Sequence, residues 1–322
     1  MGYNKPKETT RWHLENAPLP NHGKSYTVIS HKTVIESTMK LLSDSGFVIQ
    51  KSHYRSSMNA NVAQGIYYIY PTSTTNDIIS TENELGMMFA WTNSYDKSTR
   101  FQCAVGGYVK VCFNGMIAGD MMNYKRKHTG SADHDAKMQL SNQIKNAEKY
   151  YTRIIQDRNL MKSVALNSKE QAELVGRLFI EEKILDTTQL SCIKNEMHKP
   201  TYQYDTTPDT VWSFYNHVTY ALKKAHPRDW LNDSQQFHDF ITALCLNNPQ
   251  SGIEEEIVSN YDVINPADVN LDDVNSWHNP TVNTDDFDLD ITYANEIDID
   301  VDVTSDTVTE IQVKDQFYRG NL

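Results

Sequence analysis

Four strand-forming segments follow one another between Phe47 and Phe113, and they limit this chain more than any other feature. They read "FVIQKSHYRSSM", "AQGIYYIYPT", "LGMMFAWTNSY" and "RFQCAVGGYVKVCF". Each is rich in the β-branched and aromatic residues that suit a pleated, half-buried surface. Asn93 to Arg100 has the composition of a hairpin connection, so the segments are expected to pair as an antiparallel sheet. "TSTTNDIISTENE" has loop composition. Gly106-Gly107 should mark a bulge or a close backbone approach, and Asn114-Gly115 a turn able to take positive φ cheaply.

Helical periodicity surrounds this block. "SHKTVIESTMKLLSDSGF" predicts a helix capped by Ser30, with Val34, Ile35, Met39, Leu41 and Leu42 on its apolar face and Gly46 at its end. From about Asp133 a single long helix is expected. Leu140, Ile144, Ala147, Tyr151, Ile154, Ile155 and Leu160 form its buried stripe, leaving Lys137, Lys145, Lys149, Arg153 and Arg158 on the other faces. Three more helices are predicted: one capped at Asn167 or Ser168, with Gln171 as the capping-box partner; one over "TPDTVWSFYNHVTYALKKAH", with Pro208 near its start; and one over "DSQQFHDFITALCLNN". The fold class is therefore α+β, an antiparallel sheet followed by a long basic helix and a helical C-terminal half.

Charge divides the chain. From Gln250 to Leu322 there are 18 acidic and 2 basic residues, against 24 acidic and 28 basic residues in the rest. The excess of bases is greatest between Lys97 and Lys169, with 13 against 5 acids. The expected organisation is a polar N-terminal arm over residues 1–25, an α+β core over 26–249 and an acidic tail over 250–322. The tail alternates acidic and apolar residues in "DDFDLDITYANEIDIDVDVTSD", which fits either a hairpin with one acidic face or a disordered segment. A basic body with an acidic extension points to a nucleic-acid partner, or to a tail that mimics or competes with phosphate. No run approaches the ~20 apolar residues of a membrane helix, and the first residues lack the apolar core of an export signal. A cytoplasmic location is expected, in a host cell if the protein is viral.

Little in the chain suggests chemistry. No nucleotide-loop, zincin, nucleophile-elbow or dinucleotide fingerprint is present. Four cysteines show no paired spacing. A zinc site drawn from Cys103, Cys112, His128 and His134 lacks tight pairs, so the two cysteines read as small buried residues. The compact group His128, Asp133, His134 and Asp135 could hold a divalent ion in a nuclease, but it also fits a polar loop running into a helix; Asp120 with Glu148 makes no stronger case. No cofactor is expected, and enzyme activity is not required by any motif.

The core resembles a phage- and plasmid-encoded family of unknown function. The likeness rests on His31 in the early helix, on Cys112-Phe113-Asn114-Gly115-Met116, and on Trp212 with Tyr215-Asn216-His217-Val218-Thr219, over about residues 25–245. It implies a mobile-element setting and carries no catalytic residues. At the level of fold alone, a sheet followed by a long basic helix is similar to single-strand annealing proteins, which assemble into rings or filaments and lay DNA along a basic groove.

The leading expectation is a single-stranded DNA-binding protein of replication or recombination, acting as a homo-oligomer. Arg100, Lys110, Lys125, Arg126, Lys127, Lys145, Lys149 and Arg153 are the candidate phosphate contacts, with Tyr150 and Tyr151 as candidates for base stacking. The alternatives are an inhibitor that binds a host defence or nucleic-acid enzyme through its acidic tail, and a metal-dependent nuclease.

Overall fold

The computed structural model describes residues 7–21, 28–117, 132–202 and 209–247, all within one compact unit, Met1–Glu254. Lys125, Arg126, Lys127, His128 and the acidic tail lie outside the described residues. Among those described, six strands run as a single antiparallel meander: β1 (Lys7–Thr9), β2 (Phe47–Ser56), β3 (Val62–Pro71), β4 (Leu85–Ser94), β5 (Gln102–Val109) and β6 (Gly115–Ile117). The four long strands fall on the four segments read from the sequence. Residues expected to be a polar arm instead add the edge strand β1 and a short helix, α1 (Arg11–Glu15).

The sheet is covered on both faces, and for this reason β4 is buried along its whole length. On one face lie α2 (His31–Asp44), α4 (Ala132–Lys145) and α5 (Ala147–Ser163). Ser30 caps α2 by accepting the Thr33 amide at 2.9 Å, and the helix stops before Gly46 at φ 79°. His31 sits on this face fully buried. Its Nε2 lies 2.8 Å from the Ala60 carbonyl, its Nδ1 3.0 Å from the Asn93 amide nitrogen, and its ring stacks on Tyr95. Burial outweighs the Ala60 hydrogen bond and lowers its pKa to about 4, so the ring is neutral, with Nε2–H donating and Nδ1 accepting.

The expected single long helix is two. Asn146 interrupts it, and its side-chain amide donates to the Asn142 carbonyl at 3.0 Å. This is the local competition with the helix backbone that asparagine favours. The predicted apolar stripe is nonetheless buried throughout, from Leu140 to Leu160. The helices that follow are α6 (Ser168–Ile180), α7 (Thr187–His198), α8 (Val211–Leu222) and α9 (Trp230–Leu246). Asn167 caps α6 in a capping box with Glu170, not Gln171. α7 was not anticipated, although Asp186 and Gln189 form the same device. A one-turn helix, α3 (Asp77–Ser80), lies within the segment read as loop.

The opposite face is covered by the start of α9 and the connection before it. Ile66, Tyr68, Met88, Ala90 and Ala104 from the sheet pack with Ala225, Trp230 and Leu231. At the junction of α5, α8 and α9, Tyr215 Oη lies 3.0 Å from His238 Nδ1, and His238 Nε2 lies 3.0 Å from Asp157 Oδ2. All three are at most 1% exposed. Each polar atom of this relay therefore meets a partner in the interior, as buried polar groups must.

Candidate nucleic-acid interface

A groove of about 810 Å³ opens at one end of the sheet, between β2, β3, β5 and the helices α3 and α5. Its floor is aromatic. Tyr68 and Tyr108 meet edge to face with centroids 4.6 Å apart, and Phe113 stacks parallel to Tyr108 at 5.4 Å. Tyr108 can lie across the sheet because residue 86 is glycine: a Cβ there would come within 2.4 Å of the tyrosine ring. Tyr68 and Tyr108 are buried, while Tyr70 and Phe113 are 49% and 44% exposed at the mouth. Burial raises the Tyr68 pKa to about 12 and also raises that of Tyr108, so both stay neutral and bring no phenolate charge to the groove.

Two exposed lysines flank these rings. Lys51 follows the register shift at Gln50 in β2, and its ammonium lies 5.4 Å from the Phe113 ring centroid. Lys110 stands at the end of β5, and its ammonium donates to the Glu82 carbonyl at 3.2 Å. Glu82 also lines the groove, but its charge is engaged. Burial opposes its ionisation, yet the Leu85 and Glu84 amides and the Arg158 guanidinium outweigh burial and hold the carboxyl below its usual range. Arg158 bridges to Glu82 at 2.7 Å and Glu84 at 2.5 Å, and Lys162 reaches Glu84 at 2.7 Å.

The β5–β6 turn that presents Lys110 and Phe113 is rigidly held. Its left-handed residue is Phe113, at φ 57°, and not Asn114 as the Asn-Gly signal suggests. A bulky aromatic in that region costs of order 1 kcal/mol and persists only where the surroundings impose it. They do so here through Asn114, which is buried and donates from its amide to the Asn216 carbonyl of α8 at 3.1 Å. The Lys223 ammonium donates to the Cys112 carbonyl. Gly115 is needed for packing, since a Cβ there would come within 2.8 Å of Trp230. Trp212 of α8 donates to Glu84 at 3.1 Å, and the Glu84 carbonyl accepts the Lys110 amide at 3.0 Å. The segments "CFNGM" and "WSFYNHVT" therefore meet in space and together fix one wall of the groove.

Of the candidate nucleic-acid contacts that lie among the described residues, Lys110 and Tyr151 line this groove. Tyr151 is buried and donates to the Leu85 carbonyl at 2.8 Å. Arg100 is exposed at the far end of β5 from Lys110, at most about 33 Å away at the rise of a strand. Lys145 and Lys149 are exposed on α4 and α5. Arg153 lies 3.8 Å from the buried Asp157 carboxylate. Tyr150, expected to stack on a base, is only 6% exposed and is held within the interior. Arg100, Lys145, Lys149, Tyr150 and Arg153 are thus not among the residues that line the groove. Sequence reasoning missed Lys51 and Tyr70 and named Phe113 as part of the family likeness but not as a contact; their nearness depends on strand register. Gly106 does mark a close approach, with a Cβ there 2.3 Å from the Met116 carbonyl oxygen, and the register through it is regular.

Among the described residues, no group of three or more His, Cys, Asp or Glu stands close enough to hold a metal ion. All four cysteines are buried, and burial raises the Cys112 thiol to about 11 and the Cys103 thiol further. No helix among the described residues is long and apolar enough to cross a membrane.

Fold and site define an α+β protein built on a six-stranded meander, with an aromatic and basic groove at one sheet end. Residues 18–244, more than two thirds of the chain, match the family described as Domain of unknown function (DUF932). The chain belongs to that family. No curated protein and no solved structure matches it.

Proposed function

We propose that this protein binds single-stranded DNA through the groove between β2, β3 and the β5–β6 turn, in the replication or recombination of a phage or plasmid. The observation that carries this reading is Phe113: a half-exposed aromatic, held at positive φ on top of Tyr108, with Lys51 over its ring and Lys110 beside it. Non-specific single-strand sites combine exposed aromatic faces for the bases with cations that follow the backbone. Tyr70 offers a second exposed ring at the same mouth. Among the described residues the groove lining brings together no cluster of titratable groups suited to proton transfer, which fits binding better than catalysis. Strand annealing is the activity such binding would serve.

The test is a fluorescence-anisotropy titration of the full chain with labelled oligo-dT over a range of potassium chloride, with RNA and duplex DNA as comparison arms. Lys51→Ala and Lys110→Ala should each flatten the log–log salt slope by about 0.7, the single-strand value per phosphate contact. Failure to bind oligo-dT even at low salt, or binding that ignores both substitutions, would remove the proposal.

A further inference from the structure

The face of the sheet that carries the groove changes character at its other end. Arg55 of β2, Gln64 of β3, Thr92 of β4 and Gln102 of β5 stand in register, one per strand, as a polar row across the sheet. The connection between α8 and α9 closes over them: Thr92 donates to the Pro227 carbonyl at 3.1 Å, and Arg55 donates to the Ala225 carbonyl.

Arg55 is the unusual member. It is 8% exposed, yet no carboxylate among the described residues pairs with it. Its protein partners are two neutral oxygens, the Ala225 carbonyl and Gln64 Oε1 at 3.1 Å, which leaves the rest of its five N–H donors unused. Glu8 is opposite Arg55 in register and its charge acts on the guanidinium, but its carboxylate is 85% exposed and lies 3.9 Å from His53. Gln64 is fully buried, and its amide Nε2 has no partner at all. A buried guanidinium hydrogen-bonded to neutral acceptors alone, with Glu8 acting on it from solvent and an orphaned amide donor beside it, has room in its bonding for one anion on the Gln64 side of the row, away from the unpartnered Gln102 Oε1. His226 and Arg228 are half-buried in the covering connection; Arg228 is paired to Asp229 at 2.9 Å, so the demand for charge centres on Arg55.

We infer that Arg55 and Gln64, beneath the Lys223–Asp229 connection, form a binding site for a small phosphate-like oxyanion. The guanidinium presents a planar fork to two oxygens of the anion, and Gln64 Nε2 donates to a third. The anion is either free phosphate or the terminal phosphate of a nucleic-acid strand. The site does not depend on the groove reading: Gln64 and Tyr70 are six residues apart on β3, about 20 Å.

The experiment is thermal unfolding of the full chain in potassium phosphate against potassium chloride at equal ionic strength. At tenfold excess over its dissociation constant, phosphate should shift the folding equilibrium about elevenfold, a rise of ~3–5 °C in Tm. Arg55→Met should abolish the shift, Arg55→Lys should weaken phosphate at least tenfold, and Phe113→Gly should leave it intact. Gln64→Glu supplies an internal counter-charge, so it should raise Tm in chloride and cancel the response to phosphate. Competition by 5′-phosphorylated oligo-dT but not by its 5′-hydroxyl form would identify a strand end as the source; competition by neither would identify free phosphate. A chain indifferent to phosphate, or a phosphate response that survives Arg55→Met or Gln64→Glu, overturns the site. Loss of oligo-dT binding through the groove variants alone would not touch it.

Discussion

Phe113→Gly separates what the β5–β6 turn does for the fold from what it does for binding. Glycine adopts φ 57° freely, so the change relieves of order 1 kcal/mol of backbone strain. Against that stands the lost packing on Tyr68 and Tyr108. A fully buried phenylalanine removes roughly 150–250 Å² from water, and this one is 44% exposed, so about 85–140 Å² is at stake. At ~25 cal/mol per Å² the burial contributes ~2–3.5 kcal/mol, an upper estimate because the unfolded chain buries some of it too. The net loss of stability should be ~1–2 kcal/mol, a fall of roughly 3–6 °C in Tm for a unit of this size. Oligo-dT affinity should fall much further relative to any alteration of the fold, by ~5- to 150-fold, which corresponds to the ~1–3 kcal/mol of one stacked base. Thermal unfolding and anisotropy on the same preparation read both quantities. If Phe113→Gly unfolds near the expected temperature and still binds oligo-dT as the parent does, the ring is not a stacking platform and the reasoning fails.

Three further outcomes test how the molecule is held together. His31 is neutral in the fold because burial lowers its pKa from 6.5 to about 4; its contribution is therefore complete above pH 6.5 and lost as pH falls towards 4, by roughly 3 kcal/mol in all. His31→Gln should thus cost most near pH 7 and least near pH 4 in thermal melts, and parallel pH profiles would contradict the assignment. Gly106→Ala would drive a Cβ to 2.3 Å from the Met116 carbonyl oxygen, a clash with backbone worth ~1–3 kcal/mol, whereas Gly176→Ala in α6 meets nothing within 4 Å and should stabilise by ~0.5–1 kcal/mol; chemical denaturation distinguishes the two signs. Asn114→Ala and Asn216→Ala should each destabilise, and their double-mutant cycle should show coupling of ~0.5–3 kcal/mol from the side-chain contact, Asn114 Nδ2 to Asn216 Oδ1 at 3.3 Å; strict additivity would mean that this side-chain contact carries no energy, the bond to the Asn216 backbone carbonyl being left in place by Asn216→Ala.

Much of the architecture was legible because it is local. Ser30, Asn167 and the period of the stripe from Leu140 to Leu160 each signal a helix through neighbours a few residues away. Strand existence was equally plain in β2 to β5. What escaped notice was set over longer distances or by weaker chemistry. β1 is three residues long and gains its identity only from pairing Lys7–Thr9 with Tyr54–Ser56. The break at Asn146 depends on whether one amide prefers Asn142 to solvent. The charge count drew attention to the basic stretch after Lys97, but it could not distinguish exposed cations from structural ones. Arg158 and Lys162 are consumed by Glu82 and Glu84, which lie over seventy positions earlier in the chain. Lys51 and Phe113, sixty-two positions apart, meet only because β2 and β5 share a sheet face.

The segments that carried the family resemblance take on a physical meaning once they are placed in the fold. Phe113 needs a backbone state that phenylalanine resists, so something outside the turn must impose it. Asn114 bonded to Asn216, and Lys223 bonded to the Cys112 carbonyl, supply that constraint from α8 and from the residue just beyond it. The Asn114 contact is shielded from water, where a hydrogen bond has no competing solvent partner and a broken one is costly, and the Lys223 contact is half-buried. Trp212 extends the constraint to the base of β4 through Glu84, whose other oxygen holds Arg158 and Lys162. Helix α8 is thus a layer of the core and also a brace, and the element it braces ends in an exposed ring flanked by two cations. A turn needed only to reverse the chain could use glycine or asparagine at the left-handed position without such support. That this one places an aromatic residue there, and is held to it from a helix a hundred residues away, is the reason for assigning the groove a ligand and for expecting the ligand to have a flat face and a negative backbone.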